Sequence, residues 1–233
     1  MNTMTPETFR ARLQDAVASH AMLQHPFYQL WSEGKLSQAT LGEYAKQYYA
    51  QVQAFPTYVS AVHSHCDDLP TRQMLLENLL EEEQGPENHP ELWLRFAEGL
   101  GITREAVKTA QLLPQTTASV CEFKRLTQDE DYRVGLAALY AYESQIPAVA
   151  RTKREGLKEF YNLDDARAVS FFTVHEYADV LHQQVEIDVL SRECVTGDDK
   201  EKALAAAGQA AQALWGFLDG VQAAYIKPSG AIC

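Results

Sequence analysis

An all-α bundle is predicted by three features of this 233-residue sequence. Nearly every long segment repeats apolar residues at helical period, no segment alternates them as a half-buried strand would, and no repeat, low-complexity tract or long linker interrupts the chain. The length suits one domain whose core needs neither disulfides nor structural metal. A single helical domain over residues 1–225, of roughly seven to nine helices, is therefore expected. A flexible tail should follow at 226–233, where Pro228 and Gly230 sit in a stretch without periodicity.

The elements follow in order. Residues 5–21 open with Thr5-Pro6-Glu7, a capping residue and a helix-compatible first turn. Residues 37–54 start at Ser37 and place Leu41, Tyr44, Ala45, Tyr48 and Tyr49 on one side. Pro56 is expected to end that helix, because it has no amide hydrogen and crowds the preceding turn; a second stretch then runs to about His65. Residues 70–84 carry Met74, Leu75, Leu79 and Leu80 before Gly85-Pro86, and residues 88–100 close at Gly101, which suits a helix C-cap. A short segment at 103–110 and a helix at 114–127 come next. The helix at 131–146 is kinked or broken at Pro147 and resumes to about Phe160. The strongest pattern covers 164–193, and after the turn Thr196-Gly197-Asp198 a last helix spans 199–225.

Composition excludes several classes of function. With 20 basic and 32 acidic residues the formal charge is −12, and no basic stripe offsets it, so neither nucleic acid nor an anionic membrane surface is an expected partner. No apolar run approaches the roughly 20 residues that span a bilayer. The N-terminal residues lack the charged-then-apolar layout of a signal peptide, so a cytoplasmic location is expected. Cys66, Cys121, Cys194 and Cys233 are widely spaced with no CxxC pair, which argues against a zinc knuckle, an iron–sulfur site or a disulfide framework.

Three stretches carry chemistry. In the segment from His175 to His182, the side chains of His175, Asp179 and His182 fall within about 60° of arc at 100° per residue, so two imidazoles and a carboxylate share one helical face. Such donors suit iron, manganese or zinc; a solvated acidic face bearing two histidines would look the same. Glu82 and His89, seven residues apart, would share a face in a straight helix. Pro86 clashes with the Glu82 carbonyl, yet a kink there still lets both side chains turn inward. An exposed acidic run ending in a turn is the alternative. Glu143 lies in the apolar and aromatic run Leu139-Tyr140-Ala141-Tyr142-Glu143, where an unpaired carboxylate would be costly to bury, so it either pairs with an arginine such as Arg151 or binds metal. Together these six residues supply three carboxylates and three imidazoles, a set that helical bundles use for di-iron sites. The common pair of Glu-x-x-His motifs is absent.

Several short motifs in order carry a wider likeness: His25-Pro26-Phe27-Tyr28, Tyr44-Ala45-Lys46-Gln47-Tyr48-Tyr49, Cys66-Asp67-Asp68-Leu69, Tyr142-Glu143-Ser144-Gln145-Ile146-Pro147, His175-Glu176-Tyr177-Ala178-Asp179 with His182, and Gly216-Phe217-Leu218-Asp219. From about His25 to Asp219 the chain resembles the CADD-like proteins, named for a chlamydial protein associating with death domains. These lie in the haem-oxygenase-like di-metal oxidase superfamily, near the pyrroloquinoline quinone synthase and thiaminase-II (TenA) branches. The resemblance implies a seven-helix up-and-down bundle, a homodimer, and a centre of two metal ions, Fe/Fe or Fe/Mn. The family's ligand positions fall on Glu82, His89, Glu143, His175, Asp179 and His182. It further implies synthesis of p-aminobenzoate for folate, with dioxygen as co-substrate and an external reductant. By position the protein's own Tyr28 would donate the ring and Lys153 the amino group, with Tyr44 and Tyr142 placed for radical relay. Phe171 stands where some relatives are expected to have tyrosine. Read without the resemblance, Lys153 belongs to a solvent-facing basic turn, Arg151-Thr152-Lys153-Arg154, and Tyr28 to ordinary core. Three other functions fit parts of the pattern: an oxidase acting on an external small molecule, a helical death-domain interaction module, and a thiaminase-like hydrolase using Cys66 or Cys121.

Overall fold

The computed structural model describes residues 4–226, the side chains of residues 178–181 excepted. Twelve α-helices and no strand occur among the described residues. They are α1 (Pro6–Ala18), α2 (Pro26–Ser32), α3 (Gln38–His65), α4 (Leu69–Glu83), α5 (His89–Gly99), α6 (Arg104–Lys108), α7 (Pro114–Thr127), α8 (Tyr132–Glu143), α9 (Ile146–Tyr161), α10 (Ser170–His175), α11 (Ala178–Glu193) and α12 (Gly197–Tyr225). α4 and α5, α8 and α9, and α10 and α11 each follow one another across a short break. Counting each such pair as one unit and setting aside the short α2 and α6 leaves seven, which is compatible with the expected seven-helix bundle. Of the tail expected at 226–233, residues 227–233 lie outside the described residues.

Local chemistry sets most helix starts. Thr5, Ser37, Asp68, Asn88, Thr103 and Asp131 each accept a backbone N–H of the first turn on their side chains. Thr196 and Asp199 close a reciprocal capping box at the head of α12. Gly101 takes φ +79° just beyond α5, the left-handed position expected of it.

Packing explains the two places where the helical pattern misled. Pro56 does not end its helix: α3 continues through it to His65. The local penalty of a mid-helix proline, about 3 kcal/mol, is outweighed because Val52, Phe55, Tyr58, Val59 and Val62 are all buried along that stretch. Residues 164–193 form no single helix either. Asp165 turns the chain by accepting the N–H groups of Arg167 and Ala168, and a second break falls at Glu176-Tyr177 between α10 and α11.

α12 packs chiefly against α8 and α7, and α3 lies against α4, α5, α7 and α8. Small side chains line the helices that meet here: Ala137, Ala138 and Ala141 are buried on α8, and Ala203, Ala206, Ala207, Ala210 and Ala211 on α12, while Gly135 of α8 faces Val62 of α3 and Thr127 of α7. At the other side, Gly156 of α9 lets the Trp31 indole of α2 lie directly on the helix backbone, where its Nε1–H donates to the Lys153 carbonyl at 3.2 Å. A Cβ at Gly156 would stand 2.8 Å from Trp31 Cδ1, whereas one at Gly208 in α12 meets nothing within 4 Å. Gly156→Ala should therefore lose about 1–3 kcal/mol to overpacking, lowering Tm by about 2–12 °C, while Gly208→Ala should raise Tm by about 2–4 °C. Thermal unfolding followed by circular dichroism checks the pair; equal shifts would contradict the packing at Trp31.

Candidate metal centre and tyrosine–lysine compartment

Glu82 stands in the last turn of α4, and His89 is the first residue of α5. The break between them, turned at Gly85 (φ +78°) and capped by Asn88, folds the two side chains inward. Glu82 Oε1 lies 2.7 Å from His89 Nδ1. This is the kink expected from Pro86, and it excludes the solvent-exposed alternative. His175, the last residue of α10, donates from Nδ1 to the Phe171 carbonyl at 2.7 Å, so Nε2 is the nitrogen that could bind a metal. The rings of His89 and His175 are 4.3 Å apart. Ligand atoms of Glu82, His89 and His175 all lie within 4.8 Å of one another, and all three residues are buried. Burial pushes the Glu82 carboxyl up to about 8; neighbouring Glu81 and Glu83 add to the rise, and His182 opposes it.

Glu143, the last residue of α8, accepts a hydrogen bond from Asn78 Nδ2 at 2.8 Å. His182 of α11 places Nδ1 3.9 Å from Glu143 Oε2 and Nε2 3.4 Å from Glu81 Oε2. Arg151, the alternative partner considered for Glu143, is exposed. The structure thus gathers Glu82, His89 and His175 in one cluster, with Glu143 and His182 paired beside it; the Asp179 side chain lies outside the described residues. Buried carboxylates and imidazoles converging in this way form a donor set fitted to divalent iron, manganese or zinc. Val52, Phe55, Tyr142 and Phe171 join the three clustered residues around a cavity of about 10 Å³, room for about one water molecule. Phe171, the departure from the expected tyrosine, lies against His175 with ring centroids 4.1 Å apart and planes tilted by 30°.

An aromatic compartment adjoins this cluster. Tyr28 is held there by the start of α2: His25 Nδ1 accepts the Phe27 N–H at 3.0 Å while Nε2 faces Asp219 Oδ1 of α12 at 3.1 Å. Tyr28 and Tyr44 share a hydrogen bond of 2.9 Å between hydroxyls, and Tyr48 and Tyr142 share one of 2.5 Å. Burial raises the pKa of both Tyr28 and Tyr44 well above the usual phenol value.

Lys153 overturns the local reading of its segment as solvent-facing. It is 2% exposed, and its Nζ lies 4.6 Å from the Tyr48 ring centroid, 5.1 Å from Tyr44, 5.4 Å from Tyr28, 5.5 Å from Trp93 and 5.7 Å from Phe172. Desolvation drives its pKa well below 10.5. The signal was present in the sequence, because the buried residues of α9 are Ile146, Pro147, Val149, Ala150, Lys153, Gly156 and Leu157, and Lys153 continues their helical stripe. Next to it, Arg154 pairs with the buried Glu176 carboxylate, tying α9 to the joint between α10 and α11. Sequence reasoning also passed over Tyr48, read as a core residue, and Asn78, for which only its position one turn before Glu82 was available. Cys66 is buried with its thiol pKa raised, and Cys121 is exposed; neither lines the cavity beside the cluster.

Comparison with known proteins agrees with this geometry. A family model described as iron-containing redox enzymes matches residues 42–215. A protein of Nitrosomonas europaea named 4-aminobenzoate synthase is 40% identical over 231 residues, covering 95% of this chain and 94% of its own. One of the same name from Chlamydia trachomatis is 42% identical over 211 residues, covering 91% and 90%. Among solved structures, a TenA homologue from Pseudomonas syringae pv. tomato aligns with a TM-score of 0.78 at 15% identity, covering 92% of this chain and 91% of its own, a likeness of fold. The chain belongs to the haem-oxygenase-like family of iron-containing redox enzymes.

Proposed function

We propose that this protein makes p-aminobenzoate from its own Tyr28, with Lys153 as amino donor, in a reaction that consumes dioxygen and an external reductant. The centre would be a pair of metal ions, Fe/Fe or Fe/Mn, held by Glu82, His89, Glu143, His175, Asp179 and His182. The relatives named 4-aminobenzoate synthase support the product. The observation that carries the self-sacrificing part is the position of Lys153: a buried lysine Nζ 5.4 Å from the Tyr28 ring, in a compartment next to the ligand cluster.

The metal pair, when bound, supplies dioxygen activation and oxidising equivalents. The chain supplies the rest. Asn78 orients Glu143, and the Phe171 carbonyl fixes the tautomer of His175. Tyr28 holds its ring against Lys153, and its hydroxyl is tied to Tyr44. Making p-aminobenzoate from tyrosine requires that the Cα–Cβ bond break, that Cβ be oxidised at the expense of dioxygen to the carboxylate carbon, that the phenolic oxygen leave as water, and that the Cε–Nζ bond of Lys153 break so that its nitrogen takes the oxygen's place. Desolvation shifts the Lys153 amine toward its neutral form, which carries the lone pair such a replacement needs. The surrounding rings exclude water that would compete for the activated ring carbon.

Three measurements follow. Elemental analysis should find about two metal ions per chain, falling sharply in both Glu82→Ala and His175→Ala; unchanged metal in the variants would remove the assigned centre. Protein grown with ring-labelled tyrosine and ¹⁵N-lysine, then supplied with oxygen and reductant among unlabelled amino acids, should release doubly labelled p-aminobenzoate, at most one per chain. Unlabelled product would instead favour an oxidase with an external substrate. Lys153 also makes a pH signature. Between the lowered native value and pH 10.5 the unfolded chain binds more proton at Lys153 than the native chain does, so this residue's contribution to stability falls as pH decreases through that window. Lys153→Met should therefore have the higher Tm at pH 7, with the gap narrowing as pH approaches 10.5. A gap independent of pH would mean that Lys153 keeps its proton in the fold.

A further inference from the structure

The two ends of the site are joined by a residue with no role assigned so far. Tyr142 lines the cavity beside Glu82, His89 and His175. Tyr28 and Lys153 stand in the aromatic compartment. Between them Tyr48 makes three contacts at once: its hydroxyl meets the Tyr142 hydroxyl at 2.5 Å, its ring stacks on Tyr44 with centroids 5.5 Å apart and planes at 24°, and of the five rings around Lys153 Nζ its centroid is nearest, at 4.6 Å. Tyr44 in turn reaches Tyr28 through the 2.9 Å hydroxyl bond. The order from cavity to substrate is thus Tyr142, Tyr48, Tyr44, Tyr28.

We infer that Tyr48 carries the oxidising equivalent from the metal cavity into the tyrosine–lysine compartment. This inference rests on the self-sacrificing reading above. Dioxygen, with the external reductant, is the ultimate oxidant and removes one electron and one proton from Tyr142. In the next step the O–H bond of Tyr48 breaks and that of Tyr142 re-forms: Tyr48 loses one electron and one proton, and Tyr142 regains them. In the step between Tyr44 and Tyr48 the electron crosses the ring stack, while the Tyr44 proton passes to the Lys153 amine and a Lys153 proton passes to the Tyr48 oxygen; across the full chain one electron and one proton leave Tyr28 and arrive at Tyr142, with Tyr44, Tyr48 and Lys153 restored. The short hydroxyl contact suits transfer of the proton together with the electron, because a buried phenol that lost its electron alone would be left as an unsolvated cation. The ring stack onto Tyr44 places the hole where the neutral Lys153 amine lies.

Tyr48→Phe keeps the ring and removes the hydroxyl. With metal content equal to wild type, loss of Tyr28 after addition of oxygen and reductant, followed by intact-protein mass, should slow at least tenfold. The freeze-quenched tyrosyl radical should accumulate on Tyr142, identified by its disappearance in the Tyr48→Phe/Tyr142→Phe double variant. If the two residues act in series, the double variant should lose Tyr28 no more slowly than the slower single variant. Tyr48→Phe that consumes Tyr28 at the wild-type rate, or additive losses in the double variant, would overturn the role of Tyr48 while leaving the self-sacrificing reaction intact. Wild-type protein that retains Tyr28 through complete oxygen consumption would overturn both. Should Tyr48→Phe lose metal, 3,5-difluorotyrosine at position 48 keeps the hydroxyl and perturbs only its acidity and potential. An unchanged rate of Tyr28 loss in that protein counts against the relay, and a changed rate with a shifted pH profile supports it.

Discussion

Lys153 stands in a compartment walled by Tyr28, Tyr44, Tyr48, Trp93 and Phe172, and the cost of placing an ammonium ion there is the constraint from which much of the surrounding structure follows. Burial disfavours a charged lysine in such surroundings and favours the neutral one, which is chemically the useful form. The fold supports this state from several directions. Gly156 brings the Trp31 indole onto the backbone at the lysine, α10 contributes Phe172, and α3 contributes Tyr44 and Tyr48. The continuous run of α3 through Pro56 belongs to the same economy, since one long helix carries the compartment's tyrosines at one end and Val52 and Phe55 of the metal cavity further along.

Ligands and compartment respond to burial in opposite senses. In the ligand cluster, desolvation drives Glu82 toward its protonated form, and a cation restores the charge that burial disfavours. In the compartment, desolvation drives Lys153 toward its neutral form, and rings rather than carboxylates surround the amine. Tyr142 and Tyr48 mark the boundary between the two environments.

How much of this was legible depends on whether the information was local. Helix starts were, because Thr5, Ser37 and Thr196 signal through short side-chain to backbone bonds. Glu82 and His89 were legible together, because a proline kink has a local geometric meaning. The face of His175 and His182 was found by assuming one continuous helix, although a break at Glu176-Tyr177 divides it; the carboxylate of Glu176 and its partner Arg154 meet only in three dimensions. Pro56 shows the converse failure, in which a strong local rule yields to tertiary packing. Lys153 was hidden by its basic neighbours Arg151 and Arg154, although its place in the apolar stripe of α9 was visible in principle. Nothing local distinguishes Tyr48 from the other aromatic residues on α3, because its significance lies in the hydroxyl of Tyr142 from another helix.

Three of the candidate ligand positions share one more property. Glu82 lies in the final turn of α4, Glu143 ends α8 and His175 ends α10. At each of these ends the aligned peptide dipoles leave a partial negative charge equivalent to roughly half an electron. Each is also a joint where another helix begins, α5 at His89, α9 at Ile146 and α11 at Ala178, and a helix start carries the opposite partial charge. The backbone therefore largely cancels its own field around the cluster, and the side chains set the charge that a bound cation meets. Exchanging one carboxylate for its amide would change that charge by a full unit, with no helix dipole to make up the difference.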